Sequence, residues 1–207
     1  GSEMCIRDRR IVYELRGISC LDLDKVLPKK NVMCSRSFGN PVNSKAIIKD
    51  FITEYAIRAT EKVRQQNSRA QGIYIFLQTN RFRKEKQYSS GIMFGLNSPS
   101  CDTSIIIKLA LRAIDQIYQS GYSYHKAGIM MLDLIPSEIH QQDLFQNTNY
   151  SLSDQRMGVI DFLNNKYGSG TITHGKIIQK DKSRWKSKSF YLSPRYTTQW
   201  DELPQVS

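Results

Sequence analysis

"GIYIFLQTNRFRKEKQYSSGIMFGL", residues 72–96, reads as two strands joined by a charged connector. Ile73, Ile75 and Leu77 fall on one side of an extended chain and Tyr74 and Phe76 on the other, the period of two that a pleated backbone imposes. Arg81, Arg83, Lys84 and Lys86 then crowd into "RFRKEKQ", and a run so rich in cations stays in water. The chain resumes as "YSSGIMFGL", a second segment of strand length. Two strands this close in sequence pair antiparallel, so the fold is decided by what flanks them.

Upstream, "SKAIIKDFITEYAIRATEKVRQQN" carries Ile48, Ile52, Tyr55, Ala59 and Val63 at spacings of three and four, which mark one buried helix face. Ser44 stands at its N-cap position, and Lys62 and Arg64 suit its C-terminal end. Before it, "NVMCSRSFG" is a short strand closed by Gly39. Downstream, Asp102 or Thr103 caps a second helix whose buried side is Ile106, Ala110, Ala113, Ile114 and Ile117, and "YSYHKAGIMMLDLIP" forms a last strand. The order is β-α-β-β-α-β. It predicts an α+β fold, a four-stranded antiparallel sheet with two helices on one face.

Such a sheet keeps its other face uncovered. The chain holds 30 Lys and Arg against 19 Asp and Glu, a net charge of +11 in 207 residues, and a balance this basic points to a polyanionic partner, nucleic acid first. The candidate contacts are Arg36 on the first strand, Arg81, Arg83, Lys84 and Lys86 in the connector, and Lys126 on the last strand. The alternative for each is a solvated surface cation. Aromatic RNA-stacking signatures are absent from the strands, which favours DNA over RNA.

Several classes are excluded. No run approaches the length of a membrane span. The cysteines Cys5, Cys20, Cys34 and Cys101 and the histidines His125, His140 and His174 are scattered, so no metal site is expected. With no signal peptide, those cysteines read as reduced thiols of a cytoplasmic protein. The acidic pairs Asp22/Asp24 and Asp201/Glu202 lie in segments without a pocket signature, so no catalytic residue is assigned.

The ends have a different character. Residues 1–9 read as a non-native leader, and residues 10–30 as the tail of one domain followed by a Pro-Lys-Lys tether. Residues 31–136 form the sheet domain and 137–150 a polar linker. Residues 151–207 make a smaller α/β unit. In it, "SLSDQRMGVIDFLNNKYGSG" predicts a helix with Met157, Ile160 and either Leu163 or Phe162 on its buried face and Gly168 as its stop, and "TITHGKII" a short strand.

"VYELRGISCL", "SRSFG", "TNRFR", "YSSGIMFGL", "YHKAGIMMLDLIP", "QQDLF" and "LSPRYTTQWDELP", in this order, resemble the C-terminal half of the UmuC family, the catalytic subunits of bacterial DNA polymerase V among the Y-family translesion polymerases. The resemblance implies that residues 10–30 end a thumb, that residues 31–136 are the little finger that docks on primer-template DNA, and that residues 151–207 are the family's C-terminal domain. It also implies that the palm, whose acidic residues hold two Mg²⁺, lies upstream. This chain is then expected to be inactive alone, to need no cofactor, and to serve translesion synthesis in the SOS response. A stand-alone accessory protein that binds the clamp or a partner polymerase is the other reading.

Two segments gain partners from the resemblance. Gln141, Asp143, Leu144 and Phe145 in "HQQDLFQ" resemble the peptide by which bacterial polymerases dock on the β sliding clamp. A polar linker offering two adjacent apolar side chains suits a preformed pocket; the alternative is that Leu144 and Phe145 pack back on the sheet domain. In the tail, seven cations and one acid between Lys176 and Arg195 are interleaved with aromatic residues. Trp185, Tyr191, Arg195, Tyr196 and Trp200 are the candidate partner contacts, with the UmuD′ dimer and the RecA filament as the implied partners, and core packing as the alternative for the tryptophans.

Overall fold

The computed structural model describes residues 3–20, 28–138, 150–174, 193–194 and 199–203. Helix α1 spans Glu3–Leu15, β1 Val32–Val42, α2 Lys45–Gln65, β2 Ser68–Thr79, β3 Ser89–Ser100, α3 Thr103–Ile117, β4 Tyr124–Leu132, β5 Ile135–Pro136 and α4 Tyr150–Tyr167, and a short 3₁₀ turn covers Trp200–Glu202. The fold is α+β. The sheet order is β1-β4-β2-β3, every pairing antiparallel, with α2 and α3 on one face.

Period-two alternation and helical spacing meet in one core. Ile73, Ile75 and Leu77 of β2 and Ala127, Ile129 and Met131 of β4 face Ile48, Ile52, Ala59 and Val63 of α2 and Ile106, Ala110 and Ile114 of α3, all fully buried. Each large aliphatic side chain among them contributes about 1.5–3 kcal/mol relative to exposure. The helices are tied to each other where they touch: the Thr60 and Thr103 hydroxyls share a hydrogen bond of 2.9 Å, and Lys45 and Lys49 of α2 both reach Asp115 of α3 at 2.7 Å. At the start of α3 the Asp102 carboxylate accepts from the Ser104 N–H at 2.8 Å, so Asp102 rather than Thr103 is the cap. Ser44 occupies the N-cap of α2 in extended conformation, but its side chain makes no cap hydrogen bond.

Two expectations change, one expected boundary is crossed by a helix, and one open choice is resolved. The last strand is broken: Asp133 adopts φ +49, a conformation Asp tolerates, and its N–H donates to Asn31 Oδ1 at 3.0 Å. The chain then pairs again as β5, Ile135 and Pro136 opposite Arg69 and Ser68 of β2. α1 runs through the boundary expected at residue 9 and stops at Gly17. That glycine takes φ +79, and the Ile18 N–H donates to the Tyr13 carbonyl while the Gly17 N–H donates to Glu14, a glycine-capped helix end. Thr171–His174 form bends rather than the start of a strand; residues 175–178 of that expected strand lie outside the described residues. In α4 the choice between Leu163 and Phe162 goes to Leu163: Met157 is buried, Leu163 half-buried, and Phe162 exposed.

α4 follows the sheet unit in sequence and packs on it through ions. Arg64, at the end of α2, places Nε and Nη2 on Asp161 at 2.6 and 2.7 Å and Nη1 on the Cys101 carbonyl at 2.9 Å. Arg69 of β2 pairs with Asp154, and Arg156 reaches back to Asp102 at 2.7 Å. Met157 of the same helix is buried.

Candidate nucleic-acid interface

The uncovered face of the sheet is composed by register. Directly paired residues share a face, so three rows cross it from β1 through β4 and β2 to β3. They are Met33–Met130–Tyr74–Met93, then Ser35–Gly128–Phe76–Gly91, then Ser37–Lys126–Gln78–Ser89. The first row is apolar, with Met33 and Met93 exposed. The last row is polar and ends beside the 81–87 connector.

The middle row is flat because of its glycines. A Cβ on Gly128 would come within 2.5 Å of Ser35 Cβ and 2.6 Å of the Phe76 ring, and one on Gly91 would run into the Tyr74 hydroxyl. The two rings therefore lie down on neighbouring strands, their centroids 6.0 Å apart and their planes 27° from parallel. Lys126 Nζ stands 5.8 Å from the Phe76 centroid, within cation–π range.

The connector is a pinned loop. The Asn80 side chain accepts from the Phe82 N–H at 3.0 Å, and the Gln87 amide donates to the carbonyls of Asn80, Arg83 and Glu85 at 3.0, 2.7 and 3.1 Å. The Thr79 hydroxyl donates to Gln87 Oε1 at 2.9 Å, closing the strand end. This scaffold holds Arg81, Arg83, Lys84 and Lys86 exposed at one end of the open face, together with Phe82, which is 98% exposed. Arg83 has one weak acidic neighbour, Glu85, at 3.5 Å.

Five of the six expected cations thus converge: Arg81, Arg83, Lys84 and Lys86 in the loop, and Lys126 in the adjoining row. Arg36 does not join them. It pairs with Ala127, a core residue, so it points to the helix-covered side. There it stands beside Tyr55, whose hydroxyl pKa is pushed up to about 12, first by burial and then by Glu54, with Arg36 pulling the other way. The reason is parity: Val32 and Phe38, both buried, fix the even positions of β1 to the core side. Gln87 and Phe82 were not among the expected site residues. Their signal was an amide directly after the basic run and an aromatic between two arginines.

Gln141, Asp143, Leu144 and Phe145 lie outside the described residues, as do Trp185, Tyr191, Arg195 and Tyr196. Trp200 begins the 3₁₀ turn. Among the described residues no group of three or more His, Cys, Asp and Glu side chains is placed to hold a metal ion. No helix among them is long and apolar enough to cross a membrane.

Residues 29–144 match the model of the impB/mucB/samB family C-terminal domain, and residues 155–206 that of a domain of unknown function. The chain is 36% identical to UmuC of Salmonella typhimurium over 95% of its length and 47% of that protein. It is 35% identical to ImpB of Salmonella typhimurium over 94% of its length and 46% of that protein, and 31% identical to MucB of Escherichia coli with the same coverage. It spans about half the length of these curated relatives. A solved structure titled as an insertion ternary complex of Dbh DNA polymerase aligns with 63% of this chain and 36% of its own at 12% identity and a TM-score of 0.40.

Proposed function

This chain belongs to the impB/mucB/samB family, and from that premise we propose that it is the DNA-engaging and partner-docking part of a translesion polymerase of the UmuC type. In this reading residues 31–136 are the little finger. They grip primer-template DNA through phosphates, while the flat rows of the open sheet face lie against the duplex. The observation that carries it is the convergence of Arg81, Arg83, Lys84, Lys86 and Lys126 beside the exposed Phe82. Cations held on a pinned loop lose little freedom on meeting phosphate, and bonds to phosphate position a protein without reading sequence.

Gln141, Asp143, Leu144 and Phe145 then dock on the β sliding clamp. Trp185, Tyr191, Arg195, Tyr196 and Trp200 contribute a surface for the UmuD′ dimer or the RecA filament, in the cytoplasm during the SOS response. Nucleotide transfer and its Mg²⁺ are assigned to the parent polymerase and not to this chain.

The test is a salt titration of binding to primed duplex DNA. Affinity should fall steeply with salt. Arg81→Ala with Arg83→Ala and Lys84→Ala should flatten the slope of log K against log salt by about one for each phosphate that the variant no longer engages. An unchanged slope removes the loop from the interface.

A further inference from the structure

The aromatic residues that bracket the 81–87 connector serve the fold. Tyr88 packs against Tyr122 with centroids 4.9 Å apart, and its hydroxyl donates to the Ile117 carbonyl at 2.7 Å. Phe76, further back on β2, lies against Tyr74. Phe82 does neither. It is 98% exposed and meets no other aromatic ring among the described residues, so it forgoes the gain that burial brings to a phenyl ring.

Its backbone is nevertheless fixed. Asn80 accepts the Phe82 N–H on its side chain at 3.0 Å and the Arg83 N–H on its carbonyl at 3.2 Å, the local turn that asparagine favours. Thr79 and Tyr88 close the neck of the loop: the Thr79 N–H donates to the Tyr88 carbonyl and the Tyr88 N–H to the Thr79 hydroxyl, both at 2.9 Å. An apolar ring is thus held out in water from an ordered stem, with the exposed Arg81 and Arg83 on either side of it in the chain. Cations alone suffice to hold phosphate. The ring between them adds a flat π face, and aromatic faces set along a cationic track are how proteins hold single-stranded nucleic acid.

Resting on the reading of this loop as part of a DNA interface, we propose that Phe82 is the stacking platform for an unpaired base, with the phosphates flanking that base held by Arg81 and Arg83. Inside a duplex each base face is covered by its neighbours in the stack, so only an unpaired base can lie on the ring. The loop therefore distinguishes single-stranded template from paired DNA. It does so without reading sequence, because every base has a π face. An apolar pocket on a protein would also accept a phenyl ring, but the cations crowded around this one ask for an anion beside it.

The test uses the full 207-residue chain and two primer-template probes alike in duplex and in charge. One has a thymidine template overhang, and the other has abasic tetrahydrofuran units in its place. Fluorescence anisotropy should show the thymidine probe bound at least about fivefold more tightly, the effect of one base–aromatic stack. Phe82→Ala should bring the two affinities within about twofold of each other. Phe82→Leu, apolar but without a π face, should do nearly the same, while Phe82→Trp keeps the difference. With the ring in water, none of these substitutions should move Tm. Arg81→Ala with Arg83→Ala and Lys84→Ala should weaken both probes; if it weakens neither, the phosphate-gripping reading fails and takes this proposal with it. If it weakens both, but wild type binds the two probes alike or the difference survives Phe82→Ala or Phe82→Leu, the stacking proposal alone is overturned. Equal weakening of both probes by Phe82→Ala is one such outcome, since the ring then wedges into the duplex instead of meeting an unpaired base.

Discussion

Gly128 shows how one missing methyl group shapes a surface. Its hydrogen lets the Phe76 ring lie across β4 and leaves Ser35 room on the other side. Gly128→Val has to push the ring aside and crowd a Cβ held by its own strand, and overpacking of this kind costs about 1–3 kcal/mol. Thermal melting should reveal a Tm several degrees lower. Combining it with Phe76→Ala should recover part of that drop, because one of the two obstacles is gone; a double variant less stable than the sum of the singles contradicts this geometry. Gln87 acts at the same scale but on function. Gln87→Ala removes four hydrogen bonds at an exposed loop, three donated by its amide and one accepted from Thr79, so Tm should barely move while DNA affinity falls several-fold as the four cations lose their fixed spacing.

At the scale of elements, the docking of α4 on the sheet unit depends on paired ions that are mostly out of water. Arg64 and Asp161 are 12% and 24% exposed in their side chains, and a two-pronged pair so placed couples by about 1–2 kcal/mol. A double-mutant cycle with Arg64→Met and Asp161→Asn, read by hydrogen exchange of α4 amides, should return that coupling; near-zero coupling means α4 is held by Met157 and by the contacts of Asp154, Arg156 and Ser153 instead. The same junction responds to pH. Burial works against the charge of Asp102, but hydrogen bonds from Ser153 and the Ser104 N–H, with Arg156 close by, outweigh it and hold the carboxyl below its ordinary range. A carboxylate whose folded pKa is depressed stabilises the fold above its unfolded pKa. It loses that contribution as pH falls through the folded value. Protection of α4 should therefore decline below about pH 4, and Asp102→Asn should flatten the decline.

For the whole molecule, α4 covers one end of the sheet unit and supplies the counter-charges there. A chain ending at residue 138 would take Asp161 from Arg64 and Arg156 from Asp102. Arg64 would keep the Cys101 carbonyl and the Thr103 hydroxyl and Asp102 the Ser104 N–H, but each coupling across the junction, on the order of 1 kcal/mol, would be lost together with the burial of Met157. That shortened chain should melt well below the full one. Replacing Leu144 and Phe145 by alanine tests something separate. If the pair docks on the sliding clamp, clamp binding disappears while Tm stays within about a degree, as expected for substitutions away from a core. A large fall in Tm would assign the two side chains to the fold instead.

Local rules made much of the architecture readable. Period-two alternation at Ile73, Ile75 and Leu77 and the three-and-four spacing at Ile48, Ile52, Tyr55, Ala59 and Val63 are consequences of backbone geometry, and each of those side chains is buried. Asp102 caps and Gly17 stops for equally local reasons. Composition pointed to a polyanionic partner, because charge needs no folding to be counted. Other features arose only between elements distant in sequence. Arg36 was assigned to the open face from its cationic side chain alone, yet pairing with Ala127 turns it to the core side, since the face of a strand residue is set by its neighbour across the ladder. Asp133 breaks the last strand because β2 offers a second partner at Ser68 and Arg69. The choice of Leu163 over Phe162 and the clasp of Arg64 on Asp161 both depend on how helices pack, which no window of sequence contains. The sequence by itself determined the elements, their order and the charge. The tertiary structure decided which face each side chain serves, because facing is a relation between strands and helices rather than a property of any one of them.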